Sequence, residues 1–347
     1  MSLPVTEHVA ASPRHTTGYL ACGPEQGPLI VFVHGWPELP LSWRHQLPHF
    51  GALGFRAVAP DMRGYGRSSI YRRHQDYALT ESTQDMLELL DSLGRERAVF
   101  VGHDWGSPVV WSMGSHYPDR CQGVANLCVP YIPDGFAPKN IIPLVDRSIY
   151  PEAEYPAGQW DYQLFYEENF DKACSTFEAD VDATVKLLFR AGNAAGQGQP
   201  APAMSATRKN GGWFGPLPAA PDLPRDESVL TEADQRGYAD ALKRNGFFGP
   251  DSWYMNAERN VAFAKEARNG GRIDLPVLFL HAAYDWVCQT TTGRLAEPMR
   301  ANCANLSEAT TNTGHWMAQE DPAFVNAEVA RWLESKVPEV WSAKVTG

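Results

Sequence analysis

The chain has 347 residues, 44% of them hydrophobic and 20% charged. That is a globular balance, which excludes wholesale disorder and fits one core with an inserted lobe or two compact domains. With 30 basic against 41 acidic residues the formal charge is −11, which speaks for solubility and against a nucleic-acid or anionic-membrane surface.

The opening residues, MSLPVTEHVAASPRH, show no basic segment followed by an apolar one, so no secretory signal is read there. The first strong element is LIVFVH at Leu29–His34, a continuous β-rich run of the kind expected for a strand buried on both faces. Phe55–Pro60 reads as a second strand. Thr80–Leu93 follows as a helix with Met86, Leu87, Leu89, Leu90 and Leu93 at helical spacing, Thr80 as its cap, Glu81 in its first turn and Gly94 at its end. Ala98–Val101 is a third strand and Val124–Val129 a fourth. Strands separated by helices predict right-handed crossovers and a parallel sheet.

After Pro130 the texture changes. Residues 130–272 are rich in aromatics, proline and glycine, and Ala191–Pro224 is nearly free of periodicity, the mark of a lid or binding loop. Strand texture returns at Val277–His281 and once more before Gly314. A closing amphipathic helix runs from Phe324 to about Val337, with Val325, Val329, Trp332 and Leu333 inward. The predicted architecture is an α/β core of residues 1–132 and 272–347, a mostly parallel sheet flanked by helices. A mainly helical cap of residues 133–271 interrupts it. The longest apolar runs fall far short of a membrane span. The six cysteines show no CxxC pair or metal-ligand spacing, which reads as a cytoplasmic protein with reduced thiols and no metal.

The chemistry concentrates at VFVGHDWGS, Val99–Ser107. A strand runs into Gly102-x-Asp104-x-Gly106 and then into helix-like sequence, the small-x-nucleophile-x-small elbow that presents one strained side chain. Gly-x-Asp-x-Gly is also a common turn; the strand before it and the helix after it favour the elbow. The usual serine is replaced by Asp104, and Ser107 lies past the apex, which disfavours ordinary esterase chemistry. A carboxylate attacks an sp3 carbon bearing a leaving group and becomes an alkyl ester, which water then cleaves at the aspartate's own carbonyl. That second step needs a base, an orienter for the base and an oxyanion hole.

His315, in Thr313-Gly314-His315-Trp316 after the last strand, is placed as the base, and Asp285 after Val277–His281 as its orienter. The order Asp104, Asp285, His315 is that of nucleophile, acid and base in the α/β-hydrolase fold. Glu258 and Asp251 are rivals for the acid, inside the cap. His34-Gly35-Trp36-Pro37-Glu38 follows a strand and offers the Trp36 N–H as an oxyanion donor, with the Trp105 N–H as the second; so tight a Trp36–Pro37 turn favours a cis bond. His34 and His103 read as structural, and Asp61–Ser68 as a turn bracing the site.

Together these segments resemble the α/β-hydrolase-fold epoxide hydrolases, of the soluble type, over most of the chain. HGWPE, DMRGYGRSS, VGHDWGS and TGHW look like that family's oxyanion loop, glycine-rich turn, nucleophile elbow and base loop. DYQLFY at Asp161–Tyr166 and GPDSWY at Gly249–Tyr254 look like its two tyrosine-bearing cap segments. The resemblance implies an enzyme that opens an epoxide to a vicinal diol through a hydroxyalkyl ester of Asp104, hydrolysed by water that His315 activates. By the same match Tyr162 and Tyr254 donate to the epoxide oxygen, with Tyr166, four residues on, as the rival to Tyr162. Trp36, Trp105, Gln163 and Trp316 are the implied substrate contacts. No cofactor is called for; the expected partners are a small apolar epoxide and water, and a homodimer is compatible with the chain. Two alternatives stay open: a haloalkane or haloacid dehalogenase with the same Asp-nucleophile machinery, the haloalkane enzymes also sharing the HDWG elbow, and a ligand-binding protein that has lost its chemistry.

Overall fold

The five residues Leu29–Val33 are all buried and lie inside an eight-stranded sheet, in a computed structural model that describes residues 3–344. The strands are β1 (Thr6–Ala11), β2 (Thr16–Cys22), β3 (Leu29–Val33), β4 (Arg56–Pro60), β5 (Ala98–His103), β6 (Cys121–Leu127), β7 (Ile273–Ala282) and β8 (Cys303–Thr311). They are ordered β1-β2-β4-β3-β5-β6-β7-β8. β1 and β2 pair antiparallel with each other, and β2 with β4, whereas β3 to β8 and β4 are joined in parallel. Parallel neighbours require crossovers: α1 (Gln46–Ala52), α2 (Leu79–Ser92) and α3 (Gly106–His116) supply three of them.

The N-terminal hairpin β1–β2 was not expected. β1 is an edge strand with mostly exposed or half-buried residues, so its sequence carries no apolar run to betray it; pairing with β2 makes it a strand. β6 begins earlier than Val124 and ends at Leu127, because Cys128 takes φ 66° and turns the chain away from the sheet. α2 starts at Leu79, so Thr80 lies inside it and is not its cap. The Leu79 N–H is satisfied instead by Asn260 Oδ1 at 2.9 Å, from the helix Ala257–Ala264. A side chain 181 residues away outcompetes the local capping signal. Gly94 follows the end of α2 at φ 65°. The closing helix spans Pro322–Lys336, capped by Asp321 on the Phe324 N–H at 3.0 Å, with Val325, Val329, Trp332 and Leu333 buried as expected.

Between β6 and β7 the described chain forms helices and loops but no strand. The longest helix there is Asp161–Glu178, with Val181–Leu188, Glu232–Asn245, Phe248–Ser252 and Ala257–Ala264 after it. Ala191–Pro224 holds only two short turns of helix, Ala194–Gly196 and Thr207–Asn210. All six cysteines are free and buried, and no helix of the described residues is long and apolar enough to cross a membrane.

The β5–α3 junction packs backbone on backbone. A Cβ on Gly106 would lie 2.1 Å from the Val33 carbonyl oxygen, a contact that only a backbone shift relieves. Gly106→Ala is expected to cost on the order of 4 kcal/mol or more, read as loss of soluble protein or a fall in Tm of about 10 °C. Gly94→Ala, where a Cβ meets nothing within 4 Å and only φ of 65° opposes it, is expected to cost about 1 kcal/mol.

Candidate active site

β5 ends at His103, and Asp104 takes φ 48°, a left-handed conformation that costs a non-glycine residue about 1–2 kcal/mol. The turn is closed by the Ser107 N–H on the Asp104 carbonyl at 2.9 Å, after which α3 runs inward. The elbow therefore holds the carboxylate at a helix N-terminus, where negative charge is favoured. Gly35 allows the oxyanion loop to approach: a Cβ there would sit 2.4 Å from Asp104 Oδ1. The Trp36–Pro37 bond is cis, and the Trp36 N–H donates to Asp104 Oδ1 at 2.6 Å. The Trp105 N–H makes no hydrogen bond to Asp104 among the described residues.

The second carboxylate oxygen faces His315. His315 Nε2 lies 3.3 Å from Asp104 Oδ2, and His315 Nδ1 lies 2.8 Å from Asp285 Oδ2. Asp285 Oδ1 accepts the N–H groups of Val287 and Cys288 at 2.8 and 3.1 Å. Burial disfavours the Asp285 charge, but His315 and these donors outweigh it and hold the carboxyl below the usual range. For His315, burial opposes the imidazolium, yet Asp285 and the hydrogen bond to Asp104 raise it well above 6.5. The three residues are thus brought together in the predicted order, and both rival acids are elsewhere. Glu258 is exposed and pairs with Lys139 at 2.9 Å. Asp251 is fully buried, accepts the Trp36 indole N–H at 2.8 Å and the Cys174 thiol at 3.3 Å, and is pushed up to about 8 by its burial.

A cavity of about 490 Å3 opens over Asp104. Trp36, Tyr162, Tyr254, His315 and Trp316 line it together with Leu187, Leu188, Met204, Trp213, Phe214 and Trp286. Tyr166 does not; its ring stacks on Tyr254 at 4.3 Å and 7°, outside the wall. Two expected substrate contacts are also displaced from the wall. Gln163 is buried and donates to the Tyr162 hydroxyl at 3.3 Å, because it sits one residue round the helix from the cavity face. Trp105 packs its ring on Tyr254 at 5.2 Å and on Trp253 at 6.2 Å. Burial holds the Tyr162 and Tyr254 phenols well above 10.

Sequence reasoning missed two carboxylates. Glu320 accepts the N–H groups of Gly192 and Gly314 at 2.9 Å each and that of Trp316 at 3.1 Å, tying the base loop to the irregular segment. Glu38, within HGWPE, accepts the Gly35 N–H at 2.8 Å and contacts His103 Nδ1 at 2.8 Å, while His103 Nε2 donates to the His315 carbonyl at 2.7 Å. A charged side chain in an otherwise apolar motif was the available signal for Glu38. His34, as expected, is structural: its Nε2 accepts the Met62 N–H at 3.1 Å, and Asp61–Ser68 forms the bracing turn beneath, with Ser68 donating to the Asp61 carbonyl.

Burial disfavours both charges of the Glu38–His103 pair, but their attraction and hydrogen bond hold Glu38 down at about 2 and His103 up at about 10. The Glu38 contribution is complete above its ordinary 4.5 and is lost as pH falls towards 2; that of His103 is complete below 6.5 and is lost as pH rises towards 10. Breaking a buried pair from one side costs roughly 3–5 kcal/mol. Urea melts of His103→Gln across pH are therefore expected to show a deficit that is largest between about 4.5 and 6.5 and shrinks on either side.

Comparison with known proteins bears on the fold and the family. A family model described as alpha/beta hydrolase fold matches residues 28–322. Bifunctional epoxide hydrolase 2 of Sus scrofa is 34% identical over 310 residues, 89% of this chain and 52% of that protein, so the chain spans about half the length of these relatives. Epoxide hydrolase B of Mycobacterium tuberculosis is 32% identical, with 87% of this chain and 90% of the relative covered. The crystal structure of Epoxide Hydrolase A from Mycobacterium thermoresistibile superposes with a TM-score of 0.78 at 31% identity, covering 96% of this chain and 99% of that one. The chain belongs to the alpha/beta hydrolase fold family, in the branch of the epoxide hydrolases.

Proposed function

We propose that this chain hydrolyses apolar epoxides to vicinal diols through a covalent ester of Asp104. The observation that carries the reading is the placement of two protonated phenols, Tyr162 and Tyr254, in the wall of the same cavity as Asp104 and His315. Ring opening generates an alkoxide, a poor leaving group in water. A neutral phenol on that oxygen donates as charge develops, while Asp104 attacks carbon from the opposite side. Because Oδ1 is held by the Trp36 N–H, Oδ2 is the attacking oxygen.

A bond forms between Asp104 Oδ2 and the epoxide carbon as that carbon's bond to the ring oxygen breaks, and a tyrosine proton reaches the departing oxygen. Alkylation also removes the Asp104 negative charge. One of the two carboxylates that hold the His315 proton is then gone, so the imidazolium becomes more acidic, its proton restores the tyrosine, and His315 is left neutral when a base is required. Neutral His315, oriented by Asp285, takes a proton from water, whose oxygen adds to the Asp104 carbonyl carbon. The charge developing on Oδ1 meets the Trp36 and Trp105 N–H groups; collapse expels the diol oxygen, which takes the proton from His315, and the proton left on the Asp104 carboxyl passes to His315, restoring carboxylate and imidazolium. In this reading residues 133–271 form a cap over a core of residues 1–132 and 272–347; positions 1–2 and 345–347 lie outside the described residues.

The dehalogenase alternative has less support. An indole N–H that would hold a halide is already committed in Trp36 to Asp251, and Trp105 stands outside the cavity wall. The constellation of nucleophile, acid, base and cavity likewise speaks against a binding protein without chemistry.

His315→Gln is expected to trap the ester: intact mass after addition of a styrene-type epoxide should rise by the mass of the substrate, with no turnover. A protein of unchanged mass despite bound epoxide would remove the covalent route. Tyr162→Phe and Tyr254→Phe are each expected to slow alkylation about 10²-fold, whereas Tyr166→Phe should change it less than about threefold. A panel of epoxides and haloalkanes, scored for diol against released halide, separates the two enzyme readings.

A further inference from the structure

We propose that Asp251 is a positioning residue for the hydrolytic half of the reaction, holding the Trp36 oxyanion donor in place from the helical insertion. The proposal rests on the ester mechanism above. Asp251 lies in Phe248–Ser252 and is wholly buried. Its Oδ1 accepts the Trp36 indole N–H at 2.8 Å across 215 residues of sequence, and its Oδ2 accepts the Cys174 thiol at 3.3 Å. Trp36 is therefore fastened at both ends: its backbone N–H to Asp104 Oδ1 at 2.6 Å and its ring to the insertion. The ring is also enclosed by Phe177, Trp213 and Tyr254, with centroids at 5.3, 5.7 and 5.9 Å. Apolar packing fixes where the indole lies; the hydrogen bond fixes which way it faces, because an unpaired indole N–H in that setting would bear a desolvation cost.

The two half-reactions depend on this contact differently. In the resting enzyme the Trp36 N–H stabilises the carboxylate, so loosening it does not weaken the nucleophile. During ester hydrolysis negative charge returns to Oδ1, and the placement of the donor decides how well it is met. Removing an oxyanion donor outright costs about 10²–10³-fold; letting one drift is expected to cost about tenfold. A carboxyl serving only to stabilise the fold would slow both halves together.

The test is rapid-quench intact mass under single-turnover conditions with a styrene-type epoxide, following ester formation and decay in the parent, Asp251→Leu and Asp251→Asn. Leucine removes the acceptor at similar volume; asparagine keeps an oxygen for the indole. Asp251→Leu is expected to form the ester within about twofold of the parent rate and to hydrolyse it about tenfold more slowly. Asp251→Asn is expected to restore hydrolysis to within about threefold. Parent-like decay in Asp251→Leu overturns the proposal, as does parallel loss of both steps or an Asp251→Asn variant as slow as Asp251→Leu. Should the leucine variant not fold, Asp251→Ala, which removes the acceptor and leaves Trp36 in place, is read by the same criterion. A parent enzyme that forms no ester at all overturns the epoxide hydrolase mechanism itself, a result distinct from failure of the Asp251 proposal.

Discussion

A backbone N–H on one oxygen of Asp104 and an imidazole on the other is the arrangement around which the rest of the molecule is organised. It makes the two oxygens of one carboxylate inequivalent, one held by a backbone N–H and one facing an imidazole, the asymmetry on which the proposed ester mechanism draws. Such inequivalence requires three chain segments to meet at van der Waals contact: the end of β3, the end of β5 and the loop after β8. The glycines at the meeting point are consequences of that crowding. Gly35 and Gly106 stand where a Cβ would collide with Asp104 or with backbone, and Asp104 itself accepts a left-handed φ to point outward. The strain is about 1–2 kcal/mol, small beside the packing that imposes it.

Holding charges in so dry a place demands compensation, and the site supplies it in pairs. Asp285 is met by His315 and two backbone N–H groups. Glu38 is met by His103 and Gly35, and Glu320 by three backbone N–H groups. Each carboxylate also joins segments that are remote in sequence. Glu38 and His103 connect the oxyanion loop to the base loop, while Glu320 connects the base loop to the irregular segment of the insertion. Glu38 and Glu320 line no part of the cavity, yet they tie together the segments that do.

The helical insertion contributes the apolar cavity and the two phenols. Its irregular stretch is anchored at its start: Gly192 lies against Gly314 so closely that a Cβ would be 2.2 Å from the Gly314 nitrogen, and just before it the Trp316 indole N–H donates to the carbonyl of Leu188, the last residue of the preceding helix, at 2.7 Å. A segment without regular hydrogen bonding can form one wall of a cavity only if such contacts hold it. Their placement beside His315 makes the base loop and the cavity wall one structural unit.

Periodicity and local motif were enough to read the parallel core, the elbow, the order of Asp104, Asp285 and His315, and the apolar face of the closing helix. Each of those is written in residues close together in the chain. Four outcomes required the folded molecule. The β1–β2 hairpin exists through pairing that its exposed edge does not advertise, and Asn260 displaces Thr80 as the cap of α2 by reaching in from another element. Strand-end placement favoured Asp285 over Asp251, but only the fold shows Asp251 engaged with the Trp36 indole and Asp285 at 2.8 Å from His315. Nor could spacing rank Tyr162 over Tyr166, since residues four apart on a helix share a face; only the position of the opposing Tyr254 ring decides which faces the cavity and which is stacked behind it. Local sequence determines what a segment can present, and contacts between distant segments decide what it is presented to.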